Sequence, residues 1–191
     1  MTPLDPPPCR GLYLVMMKNE YFSNEQRQIA AELADLCYML ELRSEHDAWQ
    51  FIDALFPEFE VKVAAGVYRI AFIFPDFVVK VPRVYFETHE DAVEAMHKEA
   101  RYISARLSDE LLEPFFPQTE MQIGTQHFTP ALLQERIRGI GTARYAERKF
   151  AESMAAALGI GFDMHGANYG FRTIRRQRTP VFVDCDTKWE L

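Results

Sequence analysis

The sequence predicts an α+β protein built on an antiparallel sheet, and three observations carry that prediction. The stretch "EFEVKVAAGVYRIAFIFPDFVVKVP" is rich in Val, Ile and Phe and is punctuated at Gly66 and at Pro75-Asp76, as consecutive hairpin strands are. Helical periodicity with capping signals flanks it on both sides. A glycine-containing polar loop, "GFDMHGANYGF" (Gly161 to Phe171), then joins an alanine-rich helical run to a strand-like "FRTI" and a final apolar run "PVFVDCD".

Taken in order, the Pro-rich opening "MTPLDPPPCR" reads as an extended arm. Ser23 with Gln26 forms a capping-box pattern, and Ile29, Leu33, Leu36 and Leu40 follow on one helical face. Ser44 and Asp47 repeat the signal before "AWQFIDALF", a short helix that stops at Pro57, with Trp49 and Phe51 expected to be buried. Strands are expected at about 58–65, 67–74 and 77–81. Thr88 with Asp91 caps a long helix carrying Val93, Met96, Ala100 and Ile103. A connection containing Pro and Phe leads to the strand "PALLQERI", which stops at Gly139, and 141–158 reads as a second long helix. No internal repeat is present.

Composition bounds the function. With 191 residues, 48% of them hydrophobic, the chain can bury a real core, in one domain or in one split into two small lobes. Cys9, Cys37 and Cys185 are odd in number and scattered, with no metal-ligand spacing, so a reducing compartment is expected. The start lacks a leader pattern and no apolar run is long enough to span a bilayer, so the expected location is the cytoplasm. A formal charge of −7 argues against a broad nucleic-acid-binding surface. The basic run "RTIRRQR" (Arg172 to Arg178) is a local exception and reads first as a solvated hairpin tip.

Several polar residues interrupt or end apolar segments. Lys80 lies inside "FVVKVP" on the same face as Val78, where an inward lysine needs an anionic partner; alone it also fits an edge-strand lysine with its head in water. Glu99 sits at a helical position able to face the sheet, or alone reads as a solvated helix residue. Asp184 ends "VFVD", so its carboxylate emerges at the end of a strand. Asp163 and Asn168 share a short loop whose Gly161, Gly166 and Gly170 are expected to let it bend. Carboxylate and amide oxygens gathered this way suit a hard cation such as magnesium. By itself the loop also fits a structural turn braced by His165.

The order and spacing of these residues resemble the protein-kinase-like fold family. Lys80 in "VVKVP" is followed nineteen residues later by Glu99, then by the hinge-like "LLQERIRG", Asp163 and Asn168 at loop spacing, and Asp184 after "VFV". D-x-H-x-x-N looks more like the aminoglycoside and choline phosphotransferase branch than the H-R-D loop, and the chain is similar to small kinase-like proteins of bacteriophages. The resemblance covers roughly 58–186. It implies a minimal two-lobe fold, with 1–57 as an arm and two accessory helices, 58–138 as an N-lobe with an antiparallel sheet and one long helix, and 139–191 as a truncated helical C-lobe. It further implies ATP and Mg2+ as cofactors. Lys80 would neutralise the α/β phosphates and Glu99 would hold it in place. Asn168 and Asp184 would bind the metal, with Asp186 as the alternative ligand to Asp184. Asp163 would orient an acceptor hydroxyl and accept its proton. Glu135, Arg136 and Ile137 would offer backbone groups to the base, and Gly66 would mark the turn over the phosphates.

This sequence departs from the pattern in three places. "VAAGVYR" carries one glycine where the family has a series, "DCD" replaces Asp-Phe-Gly, and the chain ends at Leu191. The last predicts that the activation segment and the later helices are absent, so the acceptor is held by the N-terminal helices, a second subunit or a partner protein. Two functions from different classes follow: a phosphotransferase acting on a hydroxyl acceptor, or a catalytically silent kinase-like module that binds nucleotide or protein.

Overall fold

The computed structural model describes residues 21–41, 44–66, 68–83, 89–160 and 168–184. The Pro-rich arm, the Thr88 cap, Asp163, His165, Cys185 and Asp186 lie outside these residues. The protein is α+β: four α-helices, a five-stranded antiparallel sheet and a two-stranded hairpin among the described residues. No helix among them is long and apolar enough to cross a membrane.

Helix α1 (Asn24–Met39) starts at the expected capping box, with Ser23 Oγ accepting from the Gln26 N–H and Gln26 Oε1 accepting from the Ser23 N–H. Its buried stripe is Ile29, Ala30, Leu33, Ala34 and Cys37. Leu36 is only half-buried and Leu40 is exposed, which corrects the expected face. The small side chains of Ala30 and Ala34 let the helix sit close on the sheet, turning the contact stripe about one position round the axis. In α2 (Glu45–Leu55), capped by Ser44, the buried residues are Ala48 and Ile52. Trp49 is 52% exposed, contrary to expectation, because it lies about 100° from Ala48 and about 60° from Ile52, off the narrow face those two define; Phe51 packs half-buried against the core.

The sheet runs β1 (Lys62–Ala65), β2 (Arg69–Ile73), β3 (Phe77–Pro82), β5 (Pro130–Glu135), β4 (Thr119–Ile123), antiparallel throughout. Strand β1 is shorter than expected, because Phe56 and Phe59 set their rings edge-on against Phe74 and the chain turns to make that contact. Strand β4 was not anticipated: "TEMQI" is three-fifths polar and half-buried throughout. Its Glu120 is held by Arg27 of α1 in a two-point pair of 2.8 and 3.1 Å.

Ile70, Phe72, Val79, Val81, Ala131 and Leu133 join the α1 residues in one core. Side chains alternate across a strand, so Lys80 must point to the opposite face, which is the face that α3 (His89–Leu107) covers through Glu99. A second core gathers Tyr102 and Ile103 of α3, Phe116, Ala151 and Ala155 of α4 (Tyr145–Leu158), and Tyr169 and Phe182. Helix α4 begins later than the expected 141 because Gly139 and Gly141 adopt left-handed φ of 74° and 77°, which cannot continue into a right-handed helix. The hairpin of β6 (Tyr169–Ile174) and β7 (Gln177–Phe182) turns at the exposed Arg175-Arg176, which form a solvated tip, whereas Arg172 at the start of the basic run is half-buried and paired with Glu135.

Asp35 ties α1 to the β4–β5 turn. Its carboxylate, 7% exposed, accepts the backbone N–H groups of Gln126 (2.9 Å) and His127 (2.8 Å) and the Thr125 hydroxyl (3.3 Å). Burial alone would raise its pKa, but these donors outweigh it and hold the carboxyl below its ordinary 3.8. A lowered folded-state value means the stabilisation is present above the ordinary value and lost as pH falls through the folded one. Asp35→Asn is therefore expected to cost about 1–3 kcal/mol at neutral pH. Below pH 3.8 the gap to the wild type should shrink, as read by urea unfolding across pH.

Candidate functional site

Lys80 sits in β3, a central strand bonded to β2 and β5, so the edge-strand reading of this lysine does not hold. The residue is 8% exposed; its Nζ donates to Glu99 Oε1 at 2.9 Å and to the Val183 carbonyl at 2.6 Å. Glu99 is fully buried, which removes the solvated reading. Its place on α3 follows from helical spacing: Met96, Glu99 and Ile103 occupy successive turns of the buried face.

Asp184 lies two residues beyond the end of β7, with its side chain about half exposed. The Asn168 carbonyl accepts from the N–H groups of Val183 (2.9 Å) and Asp184 (3.4 Å), extending the hairpin ladder by one step. The backbone thereby sets Asn168 opposite Val183, whose carbonyl Lys80 holds, with Asp184 the next residue along.

Arg69, which sequence reasoning missed, completes the cluster. Its Nη1 donates to Asp184 Oδ1 at 2.7 Å and also pairs with Glu99 Oε2. The signal was available in register: Ala71 lies opposite Lys80, so Arg69, two residues along β2, shares its face. Burial would raise the Asp184 pKa, yet the charges of Lys80 and Arg69 and the Arg69 hydrogen bond together hold it below the ordinary carboxylate value. Two cations thus face two carboxylates.

The other expected site residues behave differently. The Gly66 N–H donates to the Arg69 carbonyl at 2.8 Å, and its own carbonyl accepts from Arg83 at 2.8 Å. Its backbone polar groups are thus engaged within the turn. The Glu135 N–H is likewise taken by the Gln118 carbonyl (2.8 Å), and its carboxylate by Arg172 (2.5 Å). Arg136 caps the carbonyls of Phe74 and Pro75. Ile137 is buried with Val181 and Val183, joining the segment after β5 to the hairpin. Gly170 serves close approach and not loop bending: a Cβ there would stand 2.6 Å from Ile137 Cγ2 and 3.0 Å from the Arg138 carbonyl.

A hard cation fits the donor types. Asp184 and Asn168 offer a carboxylate and an amide, and Arg69 already places positive charge 2.7 Å from Asp184 Oδ1. Among the described residues no three His, Cys, Asp or Glu side chains gather into a cage.

No family model matches the chain, and no curated protein matches it. Among solved structures the chain is similar to the GDP complex of wild-type aminoglycoside 2'-phosphotransferase-IIIa, with 13% identity and a TM-score of 0.35 over 63% of this chain and 47% of that one. The chain spans about half the length of that protein, and a likeness of this degree carries no weight for the chemistry.

Proposed function

We propose that the protein is a kinase-like phosphotransferase that uses ATP and magnesium and acts on a hydroxyl acceptor. The observation that carries this reading is the buried Lys80–Glu99 pair, whose Nζ also holds the carbonyl next to Asp184. A lysine on the third strand, a glutamate on the following helix and a metal-binding aspartate are the parts that position a nucleotide for phosphoryl transfer. Lys80 contacts the α/β phosphates and Glu99 orients it. Asp184 and Asn168 would hold magnesium, which would offset the charge that develops in transfer. Asp163 accepts the proton of the acceptor hydroxyl as its oxygen bonds to the γ-phosphorus and ADP departs. The base lies against the segment from Glu135 to Ile137.

A second reading, a catalytically inactive nucleotide-binding or protein-interaction module, draws on the Arg69 contact to Asp184 and on the engaged Gly66 turn. Formation of ADP distinguishes the two. The phosphotransferase reading expects magnesium-dependent ADP above the protein-free blank with water or small polyols as acceptors, and the rate should fall in Lys80→Met. Bound ATP left intact over hours in the presence of these acceptors supports the inactive module.

A further inference from the structure

We propose that Arg69 is a phosphate-binding residue that exchanges the Asp184 carboxylate for the nucleotide's phosphates when a nucleotide binds. This inference rests on the nucleotide-binding reading above and adds a residue to it.

Four observations carry it. The ligand-free cluster is balanced, Arg69 and Lys80 against Glu99 and Asp184, so no charge in it is left uncompensated. A nucleotide polyphosphate adds negative charge to this cluster, and a cation must turn toward it. Lys80 is tied down by Glu99 and by the Val183 carbonyl. Arg69 shares Glu99 with Lys80 but also holds the more open carboxylate of the cluster: the Asp184 side chain is 45% exposed, that of Glu99 is fully buried.

The glycine of the adjoining turn is already engaged. Phosphate cradles use backbone N–H groups of glycine-rich turns, whereas here the Gly66 N–H is spent on the Arg69 carbonyl and the Gly66 carbonyl on Arg83. The residue that closes this turn is Arg69 itself, on the Lys80 face of the sheet. A guanidinium presents a planar fork of donors that matches phosphate oxygens two at a time. The side chain thus supplies donors beside a turn whose Gly66 amide is already taken, and its departure frees Asp184 for the metal that accompanies the phosphates.

The test is calorimetric titration of ATP and of adenosine into the wild type, Arg69→Gln and Arg69→Lys, each in EDTA and in magnesium. In EDTA, Arg69→Gln is expected to lose about tenfold or more in ATP affinity, the worth of a charge-assisted hydrogen bond. Its adenosine affinity should stay unchanged. Magnesium should restore most of the loss, because metal then neutralises the Asp184 left without its partner. Arg69→Lys keeps a cation on β2 and serves if the glutamine variant does not fold; it should show the same selective loss to a smaller extent. Unchanged ATP affinity in EDTA, or a loss that adenosine shares equally, overturns the role of Arg69 while leaving nucleotide binding intact. A folded wild type that binds ATP in neither condition overturns the underlying reading as well.

Discussion

Replacing Glu99 by alanine is expected to lower stability by about 3–5 kcal/mol, the cost of breaking a buried ion pair from one side. Glu99 is fully buried and is the partner of both Lys80 and Arg69. Its removal leaves two cations with Asp184 as their one remaining carboxylate in the cluster, in a site where water reaches little of either cation. The change should appear as a lower midpoint of denaturant unfolding with the slope preserved. Lys80→Met in the Glu99→Ala background should recover part of the loss, since an orphaned charge leaves with its partner. A Glu99→Ala midpoint within about 0.5 kcal/mol of the wild type, as expected for a surface residue, would contradict the buried cluster.

Asp163→Ala is expected to reduce turnover by about 10²–10⁴-fold, the contribution of a positioned general base, with ATP affinity unchanged. The split matters because, in the proposed mechanism, binding would rest on Lys80 and Asp184, whereas Asp163 would act on the acceptor. Asp163 precedes Asn168 by five residues, and the Asn168 carbonyl is bonded to the Val183 and Asp184 N–H groups. Asn168 therefore stands at the cluster. Single-turnover ADP formation alongside equilibrium ATP binding reads both quantities. Equal turnover in variant and wild type would remove Asp163 from the chemistry.

The parts of the fold legible in the sequence are those where local and tertiary demands agree. The Ser23 box, the Ser44 cap and the Pro57 stop each act through a backbone group within a few residues, and each is found where expected. The β2 and β3 strands were visible because both pack an apolar face. Strand β4 was not, since Glu120 and Gln122 mask it and its partner Arg27 is 93 residues away. Trp49 and Leu40 were misplaced because hydrophobicity marks a helix but not which part of its surface the sheet covers.

At the site, Lys80, Glu99 and Asp184 drew notice because each breaks an apolar pattern, and the structure brings all three together. Arg69 escaped because one arginine beside a turn is ordinary. Its meaning comes from cross-strand register, which places it diagonally to Lys80. Gly66 was expected to mark the turn over the phosphates and Glu135 to offer a backbone group to the base; their N–H groups are bonded to the Arg69 and Gln118 carbonyls.

The central claim is that the Lys80, Glu99, Asp184 and Asn168 cluster receives a metal-nucleotide. Calorimetric titration of ATP, with and without magnesium, into the wild type and Asp184→Ala tests it most directly. The Asp184 side chain is about half exposed, so its removal should leave the fold intact. The account predicts that magnesium strengthens ATP binding to the wild type by about tenfold or more and that this gain disappears in Asp184→Ala. A folded wild-type protein that binds no ATP in either condition, or an Asp184→Ala variant that keeps the full magnesium effect, would contradict it.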